Sequence, residues 1–412
     1  MDTLQRALKK ALRSLPRLFL GNVISEKLRH QGITAPKRLP EKLARHILSG
    51  TGEPFRYRGG TKTQVIRLAF NEDDADEITH KLDEFCETKL PILIPQLASR
   101  ISDMLLKDLE ARWMNEQKLQ ETEVAEFRKR LEQRWGKALG QLRLLLTICR
   151  EWGQETHNRR NVPRSAKKKL LREIQFRLFA RACQVTGEII CLLENGYADG
   201  AMARWRTLHE ICVVTTVISR YGESIAERYV AHQAVESNRA MNKYLSCCGL
   251  LGYRPLATRD IKRITKAYDA AILNYGKDFG GDYGWAALHL KKKRVTFADL
   301  EAEAGRSEMR SHYQLGNDNI HAGVKSMFVR LGLLDDYSGL LSGRSNAGLI
   351  EPGQNAAISL TQIAALVCLP AKFDDLVIGQ MLHLLKHEIP RSFYLADQRL
   401  RRDDRKYKNL DS

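Results

Sequence analysis

Ile211-Cys212-Val213-Val214-Thr215-Thr216-Val217-Ile218 carries no charge on any helical face, and it follows directly on Arg204-Trp205-Arg206-Thr207-Leu208-His209-Glu210. A helix that is apolar all round is a buried one. The segment 198–220 is therefore expected at the centre of a helical bundle, with a polar cluster one turn upstream of its most apolar part. A second polar cluster, Asn317-Asp318-Asn319-Ile320-His321-Ala322-Gly323, falls in another stretch of helical spacing, 307–334. Charged groups are costly to bury unless they are paired. Two such clusters mark either an internal network or a site.

Helical periodicity extends outward from there. Residues 170–194, 198–220, 224–244 and 258–275 read as successive helices, followed by four glycines between Gly276 and Gly284. Thr296 is placed to cap a short helix over 297–304. Further helices are expected over 307–334 and 359–388, the latter divided near Pro370. Upstream, Leu4, Leu8, Leu12 and Leu15 mark an amphipathic opening helix, and Ile24 and Leu28 continue the pattern. Residues 40–48 form another, with Pro40 at its start and Gly50 beyond its end. Residues 50–61 read as loop or hairpin and 63–70 as a short strand. Pro91 and Pro95 are expected to break or kink the chain, and a long charged helix follows over 108–152, with Trp135 on its apolar stripe as core. The basic residues from Arg399 onward are expected to fray. The fold class is all-α, a multi-helix bundle with a basic N-terminal helical unit (1–107), a connecting helix and basic linker (108–169), the bundle itself (170–390) and a basic tail (391–412).

The 412 residues are 43% hydrophobic and carry a net charge of +18. No apolar run reaches the roughly 18 residues that span a bilayer, so no membrane partner is expected. The N-terminus lacks the apolar core of a secretory signal, which points to the cytoplasm. The eight cysteines form no C-x-x-C unit and suggest neither a disulfide framework nor a thiolate zinc site. His383, His387 and Glu388 share a helix without a third ligand, and no P-loop, G-x-G-x-x-G or G-x-S-x-G occurs. No metal and no cofactor are expected. The charge is segregated: residues 1–60 hold thirteen Lys/Arg against four Asp/Glu, whereas 71–90 hold two against eight. Clustered cations favour a polyanion partner through counterion release, with a solvated basic face as the simpler alternative. Arg159, Arg160, Arg164, Lys167, Lys168 and Lys169 form a run without an acid just before a helix, where cations and the helix N-terminus attract anions together. They are candidate nucleic-acid contacts, although a solvated linker explains them equally well.

Arg206 and Glu210 are four residues apart and can pair along their helix, while Arg204 and His209 project elsewhere. A buried Arg-Glu bridge that fixes helix packing is one reading. The other is a phosphate site, because ribonucleolytic chemistry needs a cation for the charge on phosphorus and a group for proton transfer. In that reading His321 is the acid or base, Arg204 and Arg206 clamp the anion, and Glu210 and Asn319 complete the pocket.

Three stretches together, Glu194-Asn195-Gly196-Tyr197 with Ala203 to Glu210, then Glu227-Arg228-Tyr229, then Tyr313 to Ala322, resemble a mostly bacterial family of helical domains of unknown function. In that family a small-residue helix carries Arg and Glu, an Arg-Tyr pair follows, and a Tyr element ending in His closes the domain. The resemblance covers about 170–323. More distantly, that family is similar to HEPN domains, all-α units of toxins and antiviral defence systems whose nucleases carry Arg-x(4 to 6)-His at a dimer interface. Here the three positions that arginine would fill before His321 hold Gln314, Leu315 and Gly316, and Arg310 is the nearest upstream arginine.

The sequence thus leads to an HEPN-like helical protein that binds or cleaves RNA, in phage defence or a toxin system, as a metal-independent ribonuclease if it is an enzyme. Nucleic acid is the expected partner, RNA favoured, with room for a homodimer. Two alternatives stand beside it: a noncatalytic nucleic-acid-binding or scaffold protein with a structural Arg-Glu-His network, and a hydrolase or transferase for a small anionic substrate.

Overall fold

The computed structural model describes residues 2–57, 65–160, 169–334, 339–368 and 372–409. Every regular element among them is helical, and they divide into two units, 1–120 and 121–412.

The first unit contains α1 (Asp2–Arg13), α2 (Leu15–His30), α3 (Leu39–Leu48) and α4 (Glu72–Glu84). Leu20, Ile24 and Leu28 of α2 meet Ala44 of α3 in a small core, joined by Ile66, Leu68 and Ile78. Asn71 and Asp74 exchange hydrogen bonds in a capping box at the start of α4. Asp74 also pairs with Lys27 of α2 at 2.7 Å, so the acidic helix docks on the basic one. The short strand expected over 63–70 is not seen at 65–70, and 63–64 lie outside the described residues. Ile66 and Leu68 keep their apolar alternation, but a strand needs a neighbour to take its backbone hydrogen bonds.

The break expected at Pro91 and Pro95 is also absent. A π-turn, Phe85–Lys89, joins α4 directly to α5 (Leu90–Arg160), a helix of 71 residues. Pro91 follows directly on this wide turn, which makes room for its ring, and Pro95 lies inside α5 without ending it. The division between the two units falls inside α5, after Gln120.

In the second unit, α5 presents Leu131, Trp135, Leu139, Leu142 and Leu145 at helical spacing to α6 (Lys169–Glu194), α7 (Ala198–Tyr221), α15 (Ile350–Val367) and α16 (Phe373–Lys408). A second apolar cluster gathers α8 (Glu223–Ala231), α9 (Gln233–Cys247), α10 (Thr258–Tyr275), α11 (Gly284–Leu290), α12 (Phe297–Glu303) and α13 (Arg310–Asp318). Helix α7 serves both: Ala201, Met202, Trp205 and Leu208 enter the first core, and Val213, Val217 and Ile218 the second. The central position read from its uncharged face is the position it occupies.

Two expectations need correction. The helix foreseen over 307–334 stops at Asp318, and Asn319 to Gly323 form a turn before α14 (Val324–Phe328). Asn319 Nδ2 donates to the Leu315 carbonyl at 3.1 Å, while the Ile320 and His321 N–H groups both turn back to the Asn317 carbonyl at 3.0 Å. Asparagine side chains compete in this way with the helical ladder. The frayed tail is instead the end of α16, where Phe393 is buried, Arg401 binds Asp397 at 2.8 Å and Arg134 of α5 binds Asp403 at 2.9 Å.

Candidate functional site

Helix α13 lies antiparallel along α7. Tyr313 meets Arg206 and Glu210, Gly316 sits against Met202 and Arg206, and the turn after Asp318 reaches Asp199 and Gly200. A Cβ on Gly316 would stand 3.3 Å from that of Arg206, so the missing side chain is what lets the helices approach.

At one end of this seam Arg206 donates to the Tyr313 hydroxyl at 2.7 Å and pairs with Glu210 at 3.1 Å, while the hydroxyl donates to Glu210 at 2.7 Å. The Arg206 and Arg310 guanidiniums lie 4.8 and 5.4 Å from the centre of the Tyr313 ring. Burial and the Glu210 carboxylate both push the Tyr313 hydroxyl above its ordinary pKa, so it stays a donor. Arg206 and Glu210 are half-buried, at 29% and 34% side-chain exposure. Beneath them the buried Glu301 accepts from His209 at 2.9 Å and from Arg310 at 2.7 Å. Burial holds the His209 imidazole below its usual pKa in spite of Glu301, which makes the ring a neutral Nε2–H donor.

At the other end lies a cleft of about 370 Å³ lined by Asp199, Asp318, Asn319, His321, Ser326 and Arg330 among others. Asp199, in the first turn of α7, accepts from Arg330 Nε at 3.2 Å and from the Leu331 N–H at 2.9 Å. This ties the guanidinium to α7 through its Nε. His321 is exposed, and among the described residues its imidazole makes no hydrogen bond or ion pair. From Asp199 to Arg206 the helix rises by about 10 Å, at 1.5 Å per residue.

The structure therefore distributes the candidate residues over three places. Arg206 and Glu210 come together around Tyr313. Asn319 and His321 come together in the cleft. Arg204 projects from another face of α7 onto Glu188 of α6. The arginine that shares the cleft with His321 is Arg330, which the sequence reading passed over as part of a continuous helix.

The basic run is also divided. Arg159 makes a two-pronged bond to the buried Asp375 of α16 at 2.8 and 2.6 Å, which Trp152 completes at 3.0 Å. Its guanidinium is thus committed to packing. Arg160 closes α5, Lys169 opens α6 and is exposed, and Arg164, Lys167 and Lys168 lie outside the described residues. The N-terminus of α6 already holds an anion: the Glu223 carboxylate accepts from the Leu170 and Leu171 N–H groups at 3.0 and 3.1 Å.

Other signature residues are structural. Arg228 is buried beneath Tyr275 and Phe279 and donates to the Trp285 carbonyl at 3.0 Å, pinning the glycine loop. Gly196 turns the chain between α6 and α7 with φ +73°, and a Cβ there would stand 2.6 Å from Phe127 and from the Ser345 carbonyl.

This fold and site define an all-α protein whose central helix pairs with a Tyr-bearing helix that ends in a polar turn. Residues 172–338, the span that holds both ends of the seam, are similar to a family described as a family of unknown function (DUF5677). No curated protein and no solved structure matches the chain. No helix among the described residues is long and apolar enough to cross a membrane.

Proposed function

We propose that this is an HEPN-like protein that binds RNA through its basic surface and brings the phosphodiester backbone to the cleft between α7 and the 319–330 segment. The observation that carries this reading is the meeting of an exposed, unpartnered imidazole, His321, with a guanidinium, Arg330, that Asp199 holds through its Nε. An exposed imidazole can take up or release a proton, while a guanidinium stabilises charge on phosphate oxygens. Asn319 supplies a further polar group in the same cleft. In this reading Arg330 takes the anion-clamping role that the sequence assigned to Arg204 and Arg206, and the chemistry needs no metal. The exposed basic residues of α1 and α3, with the net charge of +18, supply the affinity. The setting is that of cytoplasmic phage-defence and toxin proteins.

The test uses purified full-length protein and end-labelled RNA in the presence of chelator. Cleavage by the wild type that is lost in both His321→Ala and Arg330→Ala is expected. Equal cleavage by wild type and both variants would refute the assignment.

A second reading has its own observation. Arg206, Glu210 and Tyr313 bind one another, and so do His209, Glu301 and Arg310, with Arg206 Nε the one buried atom among them left without a partner, an arrangement that suits a structural network. If RNA binds with a steep salt dependence but is never cut, the protein is a noncatalytic RNA-binding scaffold built around that network.

A further inference from the structure

The corner between α6 and α7 draws two cations onto one neutral group. Arg128, from α5, donates to the Asn195 Oδ1 through Nε at 3.0 Å and through Nη2 at 2.7 Å. Arg344, from the segment before α15, reaches the same Oδ1 at 2.7 Å and the Asn195 carbonyl at 3.2 Å, both through Nη1. An amide oxygen has two lone pairs, yet three guanidinium nitrogens are aimed at this one. Like charges held that close repel. Neither guanidinium pairs with a carboxylate among the described residues. The acids of the corner are committed elsewhere, Glu132 and Glu194 to Arg143 and Asp199 to Arg330.

The surrounding structure holds these side chains in place. Asn195 Nδ2 donates to the Cys191 carbonyl at 2.8 Å, which fixes the amide with its oxygen toward the arginines. The Ser345 N–H donates to the Gly196 carbonyl at 2.9 Å and keeps Arg344 at the corner, its guanidinium 5.1 Å from the centre of the Tyr197 ring. Phe127 packs against Gly196 and brings Arg128 in beside it. The same corner opens α7, whose N-cap residue Tyr197 supplies no side-chain cap, and an uncapped helix start adds to the attraction for an anion.

A bound anion relieves repulsion of this kind. Arg128 and Arg344 arrive from different elements, so the ligand must offer more acceptors than the two oxygens with which a carboxylate matches one guanidinium edge; a phosphate group offers them in a tetrahedral arrangement. We infer that Arg128, Arg344 and Asn195 form a phosphate-binding site at the α6–α7 corner. None of the three lines the cleft of His321 and Arg330. The ligand is a phosphate oxyanion, carried by a nucleic-acid backbone or by a small phosphorylated molecule, and the site does not depend on any cleavage at the cleft.

Titration calorimetry of the full chain at low salt, with inorganic phosphate in one arm and a single-stranded RNA oligonucleotide in the other, reads the site. Arg128→Gln with Arg344→Gln should weaken binding at least about tenfold, the scale of losing charge-assisted hydrogen bonds. Asn195→Asp is the sharper variant. Its carboxylate neutralises both guanidiniums from within, so binding should fall by a similar factor while the melting temperature holds or rises. Loss in the RNA arm names a nucleic-acid backbone as the source, and loss confined to the phosphate arm names a small phosphorylated molecule. Variants that bind as the wild type does in both arms overturn the inference. So does an Asn195→Asp protein that melts below wild type, since a corner with surplus positive charge gains from a carboxylate.

Discussion

Replacing Glu301 separates packing from chemistry at the seam. Its carboxylate is buried and is shared by His209 at 2.9 Å and Arg310 at 2.7 Å. Glu301→Ala strands a buried imidazole N–H and removes the counter-charge of Arg310. Breaking a buried pair from one side costs about 3–5 kcal/mol, and the lower half of that range applies because Arg310, at 40% side-chain exposure, can turn to water. Glu301→Gln keeps the shape and the acceptor for His209 and should lose about 1–3 kcal/mol. Urea unfolding followed by circular dichroism measures both. The acid side adds a signature. Burial lowers the folded-state pKa of His209 from its ordinary 6.5, so as pH falls through that value the unfolded chain takes up a proton that the folded one refuses, and stability drops. Removing the carboxylate removes the force that opposes that depression. The loss in Glu301→Gln should therefore continue to lower pH than in wild type. A cost below about 1 kcal/mol for Glu301→Ala, or an acid limb that both proteins share, would refute the reading of this group as a buried, mutually dependent network.

Two glycines in helices should respond with opposite signs. A Cβ on Gly353 would meet the buried Phe393 ring at 2.3 Å, so Gly353→Ala should destabilise by about 1–3 kcal/mol despite its better helix propensity; at Gly379 nothing lies within 4 Å, and Gly379→Ala should stabilise by about 0.5–1 kcal/mol in the same urea assay. Glu223→Ala uncovers two N–H groups at the start of α6 and should cost about 0.5–2 kcal/mol by thermal or urea unfolding, whereas an unchanged stability would mean that the carboxylate does not cap that helix.

What the sequence made legible follows from how local each cause is. The central place of α7 could be read because eight consecutive uncharged residues leave a helix no face for water. The all-α class could be read because apolar residues recur at helical spacing along most of the chain, and that periodicity is equally local. The strand near 63–70 was misjudged because alternation is local while a pairing partner is not. The second cluster was assigned to a continuous helix because periodicity counts apolar positions and cannot see Asn319 take the Leu315 carbonyl. Arg159 looked like a free cation because Asp375 lies 216 residues away, and Arg330 went unnoticed because Asp199, which orients it, is 131 residues away.

The sharing of α7 between two apolar clusters bears on how the second unit opens. A peripheral helix can detach while the remainder stays intact, but α7 cannot leave one cluster without tearing the other. Its amide protons should accordingly be among the slowest in the chain to exchange with deuterium, escaping only through global unfolding, while those of the short α14 exchange through local fluctuation.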